Sequence, residues 1–184
     1  MDIEQAQADM RRGYLHGAPG VLASALVWLA AAAVAWTRSP DASIATLFIG
    51  GMFIHPAGML IAKALGRTGA HTKGNPLGTL ALEVTILMLL ALPLVYAVSR
   101  LQITWFFPAM LMVIGGRYLT FSTMYGLRLF WACGAILAAA GCALVLGHAN
   151  LVSGALTGGL IELLFAGLLF QAARRASGTV ALSA

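Results

Sequence analysis

The stretch LGTLALEVTILMLLALPLVYAV, residues Leu77–Val98, decides the fold class of this chain. It carries one charged residue, Glu83, and as a helix it is long enough to cross the hydrocarbon core of a bilayer, which needs about 20 residues. Five further stretches of similar length and polarity indicate five more spans, and hence a six-helix membrane bundle. They are Gly20–Trp36, Ile44–Leu65, Thr104–Tyr125, Leu127–Leu146 and Leu151–Ala173.

The composition of the whole chain is typical of an all-α polytopic membrane protein. Of its 184 residues, 60% are hydrophobic and 9% are charged, whereas soluble domains average about 45–50% and about 25%. Such a composition excludes a disordered chain. The formal net charge is +5, but the basic residues are dispersed at the ends of the spans and form no stripe, so the sequence predicts no nucleic-acid partner.

The spans divide the chain into an N-terminal cytoplasmic or interfacial arm at 1–19, a transmembrane domain at 20–173 and a short cytoplasmic tail at 174–184. Lys and Arg residues near the ends of spans concentrate on the cytoplasmic side of a membrane. Arg38 and Arg100 fall on one side of the predicted bundle. The opposite side carries Arg11, Arg12, Lys63, Arg67, Lys73, Arg128, Arg174 and Arg175. Both termini are therefore predicted to be cytoplasmic.

Ionisable residues inside the spans are the strongest candidates for a functional site, because a charge near the bilayer centre costs about 2.5–3.5 kcal/mol on insertion scales. Four such residues, from four different spans, are His55, Glu83, Arg117 and Glu162. With about 1.5 Å of helical rise per residue, all four fall between the inner third of the membrane and its midplane. We therefore expect a shared polar centre, to which Tyr118 also contributes.

The inner half of the fourth span is the most polar helix surface in the sequence. Secondary site candidates on it are Thr120, Ser122 and Tyr125. Arg117 is expected to pair with Glu83, Glu162 or both, because a guanidinium does not escape burial by losing its proton. Such a cluster fits two interpretations: an ion pair that fixes helix packing, and a site for a substrate, ion or proton.

The sequence predicts neither a metal centre nor a cofactor. Cys133 and Cys142 fall in the fifth span, about 13.5 Å apart along one helix, which is too far for a disulfide. Two cysteines do not make a structural zinc site, and His55 alone within the spans is too few for bis-histidine haem ligation. The sequence has no phosphate-binding loop, dinucleotide fingerprint or hydrolase nucleophile motif.

Four short motifs between residues 48 and 119 carry a resemblance that extends over roughly residues 10–150. They are Phe48-Ile49-Gly50-Gly51-Met52, His55-Pro56, Asn75-Pro76-Leu77-Gly78 and Gly115-Gly116-Arg117-Tyr118-Leu119. Together they resemble a bacterial family of small, uncharacterised multi-pass membrane proteins, a domain of unknown function. The resemblance implies a multi-pass topology in the bacterial inner membrane. It implies no activity and no catalytic residues.

The function that the sequence favours is a small transporter or channel-like carrier of a small solute or ion. Glu83 or Glu162 would carry protons, Arg117 would hold that acid or bind an anionic group, and His55 would relay or gate. Because six short spans make a small unit, a homodimer is expected. Two alternatives stay open: a membrane-embedded enzyme acting on a lipid or isoprenoid, and a structural subunit of a membrane complex. An enzyme predicts a site open sideways to lipid, and a packing role predicts a dry cluster around Arg117.

Overall fold

The computed structural model describes residues 1–182, with side chains as far as residue 176, and this part of the chain is helical without strands. Its seven α-helices are α1 (Ile3–Tyr14), α2 (Ala18–Thr37), α3 (Pro40–Ala64), α4 (Pro76–Leu101), α5 (Phe106–Tyr125), α6 (Arg128–Leu146) and α7 (Leu151–Leu182). Short 3-10 turns at Leu15–Gly17 and Ile103–Trp105 precede α2 and α5. The expected all-α fold class is confirmed.

Two helix starts show how the local sequence sets the helix boundaries. The Ser39 hydroxyl accepts the Ala42 N–H at 3.2 Å, and Pro40 occupies the first turn of α3. The Asn75 side chain likewise accepts the Leu77 N–H at 3.0 Å ahead of Pro76. In each case a side chain satisfies a backbone donor that the helix leaves unpaired, and a proline fits where no N–H is needed.

Five helical segments are long and apolar enough to cross a membrane: Ile3–Thr37, Pro40–Ala64, Pro76–Leu101, Arg128–Leu146 and Leu151–Ala176. The first combines α1 with α2, and its apolar part is α2. The fourth predicted span, Thr104–Tyr125, corresponds to α5, which is 20 residues long and carries Arg117 and several hydroxyl groups; it is not among these five segments. The structure therefore supports a multi-span membrane protein with five clearly apolar spans.

The helices form two groups around a shared core. Helix α2 packs along α3 and α7, α5 packs along α6 and α4, and contacts of α7 with α5 and α6 join the groups. The largest fully buried side chains include Trp28, Phe106, Phe107 and Phe130. Helices α3 and α4 flank the bundle and expose most of their apolar side chains. Such apolar surfaces are suited to lipid.

Glycines let the central helices approach closely. Where α5 crosses α6, a Cβ atom added to Gly134 would lie 2.5 Å from the carbonyl oxygen of Gly115. Where α7 passes α2, a Cβ atom on Gly158 would lie 2.7 Å from the Trp28 ring. Small residues at such crossings are the usual basis of helix packing in membranes.

The structure adds detail at both ends of the chain. Within the predicted cytoplasmic or interfacial arm at 1–19, α1 packs against α3, α4 and α5, with Ala6, Asp9 and Met10 buried; the location of the arm stays a prediction. A stripe of small and apolar side chains on α1 makes this docking favourable. Helix α7 continues to Leu182, beyond the predicted end of the last span. The last two positions of the predicted tail, 183–184, lie outside the described residues.

Candidate functional site

Arg117 projects from α5 towards α4 and is the centre of the candidate site. Its Nη1 atom lies 3.4 Å from the Met88 sulfur, and its Nη2 atom lies 3.4 Å from the Thr85 hydroxyl oxygen. Its Cζ atom lies 5.1 Å from the centroid of the Phe121 ring, in a cation–π arrangement. The buried Nε atom has no hydrogen-bond partner. The guanidinium is therefore held by weak acceptors and keeps unused donor capacity.

A groove of about 270 Å³ separates α4 from α5 beside this guanidinium. Its lining is Val84, Leu87, Met88, Ala91, Met112, Val113, Gly116, Arg117 and Thr120. Gly116 helps to form the groove, since a Cβ atom there would meet no atom within 4 Å. Leu87 and Met112 are exposed, so the groove opens sideways, on the surface of the bundle. It is apolar apart from Arg117 and Thr120.

Glu162 lies in the core, on the other side of α5 from the groove. It is fully buried on α7, and its Oε1 atom accepts a hydrogen bond of 3.0 Å from the Tyr118 hydroxyl. Ser24 on α2 lies close to the same carboxyl group, while the buried Oε2 atom makes no hydrogen bond. A carboxyl group in this position is expensive as an anion, because no cation contacts it within the described part of the chain.

The expected shared polar centre forms only in part. Tyr118 and Glu162 meet, and Thr120 joins Arg117 in the groove. Tyr125 is buried and its carbonyl oxygen accepts a 2.6 Å hydrogen bond from Arg11, while Ser122 is half-buried. His55 on α3 and Glu83 on α4 are exposed at the outer faces of the bundle. The two flanking helices thus carry these ionisable groups away from the centre.

Arg117 does not form the expected ion pair. Within the described residues its guanidinium contacts a thioether, a hydroxyl and an aromatic ring, and no carboxylate. Glu83 is exposed on α4, and Glu162 is hydrogen-bonded to Tyr118 rather than to Arg117. The predicted ion pair is wrong because the number of residues from a span end gives only the depth of a side chain in the membrane. It does not indicate on which side of α5 each neighbouring helix packs.

Sequence reasoning missed the side chains that surround Arg117 and Glu162. Thr85 and Met88 lie on the same span as Glu83, two and five residues after it, within an apolar stretch. Ser24 and Phe121 were missed in the same way. The isolated hydroxyls of Thr85 and Ser24 inside apolar spans were the available signal, because buried hydroxyl groups need partners.

A second polar cluster lies outside the spans, where α1 meets the connection at 65–75. The Asp9 carboxylate accepts hydrogen bonds from the Thr72 N–H and the Asn75 amide, both 2.8 Å long, and from the Thr72 hydroxyl at 2.7 Å. Burial raises the pKa of Asp9, but these hydrogen bonds and the nearby charge of Arg12 outweigh it and hold the pKa below its ordinary value. The cluster ties α1 to this connection.

The two cysteines are free, Cys133 in a buried and Cys142 in an exposed position of α6, as their spacing predicts. Among the described residues, no group of three or more His, Cys, Asp or Glu side chains is placed to hold a metal ion. The absence of a cofactor remains a prediction.

The comparison with known protein families decides the affiliation of the chain. Residues 3–172 match a family of unknown function (DUF7010). The chain belongs to this family. The match covers nearly the whole chain and confirms the resemblance to an uncharacterised family. No curated protein and no solved structure matches the chain. The function of the family is unknown, so the affiliation assigns no activity to the chain.

Proposed function

We propose that this family member is a membrane carrier whose groove between α4 and α5 binds the anionic head of a small amphiphile. One observation carries the proposal: the Arg117 guanidinium borders the groove with an unpartnered Nε atom and no carboxylate contact among the described residues. A buried cation in this state is favoured when an anion completes its surroundings.

The chemistry of the guanidinium selects an anion. Arginine stays charged even when buried, and its planar fork of donors matches carboxylate, sulfonate and phosphate groups. The present contacts with Met88 and Thr85, both 3.4 Å, are weak ones that an anionic oxygen would displace or supplement. In a site with little water, the attraction between the two charges is much stronger than in solution.

The walls of the groove select an amphiphile. Val84, Leu87 and Met112 give it an apolar lining, and it opens sideways between two helices. A ligand with an apolar tail would reach it from the bilayer and place the tail against these side chains. The remaining space beside Gly116 would receive the head group next to Arg117.

The groove opens sideways, as an enzyme acting on a lipid would also require, but its polar lining favours transport over the two alternative functions. An enzyme needs groups that exchange protons or attack a substrate, but the polar groups lining the groove are an arginine and a threonine, and arginine does not release its proton. A guanidinium with a purely structural role would be expected in a closed, paired cluster. Arg117 is instead open on one side.

Proton coupling through Glu162 is the second part of the proposal. Glu162 lies behind Tyr118, the direct chain neighbour of Arg117, and acts on Arg117 through its charge. A negative ligand at Arg117 would favour uptake of a proton by Glu162, because like charges in a medium of low dielectric constant repel. Ligand and proton would then cross together. The exposed Glu83 is less suited to this role.

Ligand binding can be measured with a fluorescent alkyl sulfonate, titrated against purified protein in nanodiscs. Arg117→Gln should weaken binding about tenfold or more, since one charge-assisted contact contributes that much. Gly116→Leu should weaken it by filling the groove without removing the charge. Arg100→Gln, on the opposite end of the bundle, serves as the control and should leave the Kd unchanged. Equal binding of a quaternary ammonium analogue, or an unchanged Kd in Arg117→Gln, would refute the proposal.

Transport is tested with the same fluorescent sulfonate in proteoliposomes. The fraction of the sulfonate that an impermeant quencher can reach is followed over time. A sulfonate carries no proton, so any acceleration by a pH gradient must come from a proton on the protein. The protein should accelerate equilibration across the membrane, and Glu162→Gln should remove the dependence on the gradient. Binding without any flux would leave a binding protein and refute the carrier function.

We also propose the finer topology: six spans, with both termini on the cytoplasmic side of a bacterial inner membrane. The contact between Arg11 and Tyr125 and that between Asn75 and Ala6 bring α1, the 65–75 connection and the end of α5 together. This end is the basic end of the bundle, because it carries most of the Lys and Arg residues near the spans. Such an excess favours a cytoplasmic location.

A homodimer that covers the exposed face of α3 or of α4 completes the proposal. His55 and Glu83 are exposed on these helices, where lipid would otherwise surround them. Such positions are costly for ionisable side chains. In a two-fold symmetric pair, the exposed face of one of these helices would pack against the same face of the second copy.

A further inference from the structure

The basic end contains a second cavity, separate from the groove at Arg117. It has a volume of about 550 Å³ and lies between the end of α1 and the 65–75 connection. Its walls include Arg12, Arg67, Thr68 and His71. The proposed carrier function does not use this cavity.

The cavity is shaped by a close approach between α1 and the connection. The Gly69 N–H donates to the Gly13 carbonyl oxygen at 3.0 Å, and the Ala70 carbonyl group abuts Gly13, where a side chain would not fit. Gly66 and Gly69 have positive φ angles of 74° and 65°, which glycine adopts readily. The backbone conformation of the connection is thus fixed around the cavity, and the Asp9 cluster holds it against α1.

The charge of the cavity is positive. Arg12 makes no hydrogen bond or ion pair with another described residue, and Arg67 contributes a second guanidinium to the lining. Asp9 also lines the cavity as a carboxylate, so the lining stays positive by a smaller margin; both oxygens of Asp9 are turned to Thr72 and Asn75, from which they accept hydrogen bonds. The Tyr14 hydroxyl and His71 Nδ1, 2.9 Å apart, hold the imidazole ring in place.

We infer that this cavity binds a phosphate group, with Arg12 as its principal ligand and the positive charge of Arg67 beside it. A guanidinium group pairs with phosphate oxygens through parallel hydrogen bonds, and a second positive charge nearby strengthens the attraction. The volume is sufficient for the phosphate and a small attached group. The phosphate belongs either to a soluble phosphorylated compound or to a phosphomonoester lipid whose head group reaches the inner membrane surface.

Two probes distinguish these sources, both used with the full chain in phosphatidylcholine nanodiscs. Glycerol phosphate is titrated from solution, and phosphatidic acid is incorporated into the nanodisc at increasing fractions. Hydrogen exchange of the amides at 9–13 and 66–72 reports occupancy, because a bound phosphate would slow local opening. Protection by glycerol phosphate supports a soluble ligand, and protection by phosphatidic acid alone supports a lipid head group.

The variant Arg12→Gln with Arg67→Gln should weaken binding of the effective probe at least about tenfold. Arg12→Gln alone should weaken it as well, and guards against misfolding of the double variant, since Arg12 makes no hydrogen bond or ion pair with another described residue and the Asp9 hydrogen bonds remain. The control is Lys73→Gln with Arg128→Gln, which removes the same charge from the basic end outside the cavity and should leave binding unchanged. No protection by either probe, or equal loss in the control, would overturn the inference.

Discussion

Replacement of Gly134 by alanine should destabilise the contact between α5 and α6 by a predictable amount. The new Cβ atom would lie 2.5 Å from the Gly115 carbonyl oxygen and 3.0 Å from the backbone nitrogen of Leu119, whereas ordinary contacts begin at 3.4 Å. Both neighbours are backbone atoms in a helix, so neither can rotate away and the two helices must separate. Overpacking of this kind costs about 1–3 kcal/mol.

Gly167→Ala provides the matched control, because a Cβ atom on Gly167 would meet no atom within 4 Å. Alanine is favoured over glycine in a helix by about 0.5–1 kcal/mol, and this gain is common to both variants. The difference between their free energies of unfolding should therefore be about 1–3 kcal/mol, the overpacking cost alone. Detergent-induced unfolding in mixed micelles, followed by circular dichroism, measures it. Equal stability of the two variants would refute the close helix crossing.

Three further predictions concern the polar groups. Tyr118→Phe should lower the free energy of unfolding by about 1–3 kcal/mol, because a buried carboxyl group loses its donor, and adding Glu162→Leu should recover most of this loss; an unchanged Tyr118→Phe would show that the hydrogen bond contributes nothing. The depressed pKa of Asp9 means that its contribution to α1 docking is present above the ordinary aspartate pKa of about 3.9 and is lost as the pH falls through the lower folded-state value. Hydrogen-exchange protection of α1, corrected for intrinsic rates, should fall over this range in the natural chain, and Asp9→Asn should abolish the pH dependence. His55→Cys and Glu83→Cys, each as a single variant with the native cysteines replaced by serine, report on the faces of α3 and α4; one of them should give disulfide-linked dimers in membranes, and purely monomeric products from both would contradict the proposed dimer.

The long apolar stretches made most of the fold predictable. Leu77–Val98 lies within α4, which begins at Pro76, whereas α3 begins at Pro40, four residues before the predicted span at Ile44. These features are local: length, composition and capping determine them without knowledge of neighbouring helices. The docking of α1 was not predictable in the same way, because it depends on Asp9 meeting Thr72 and Asn75 from a distant part of the sequence.

The candidate site was predictable in its members but not in its connections. Arg117, Tyr118 and Glu162 were found because ionisable or polar groups inside spans stand out against their surroundings. The expected ion pair of Arg117 is absent among the described residues. Whether two side chains pair depends on how α4 and α7 are rotated about their axes. Because both helices are apolar on all sides, their sequences do not indicate which face turns towards α5. The groove has no sequence signature apart from Gly116, whose missing side chain leaves space beside the guanidinium.

Photo-cross-linking of an anionic amphiphile is a direct test of whether the groove between α4 and α5 binds such a ligand. An alkyl sulfonate with a diazirine in its tail would be activated in nanodiscs containing the full chain, and the modified residues would be mapped by mass spectrometry. The account predicts labelling concentrated at Leu87, Met88 and Met112, which line the groove, and loss of this labelling in Arg117→Gln but not in Arg100→Gln. Labelling spread evenly over the exposed faces of α3 and α4, and unchanged in Arg117→Gln, would contradict it.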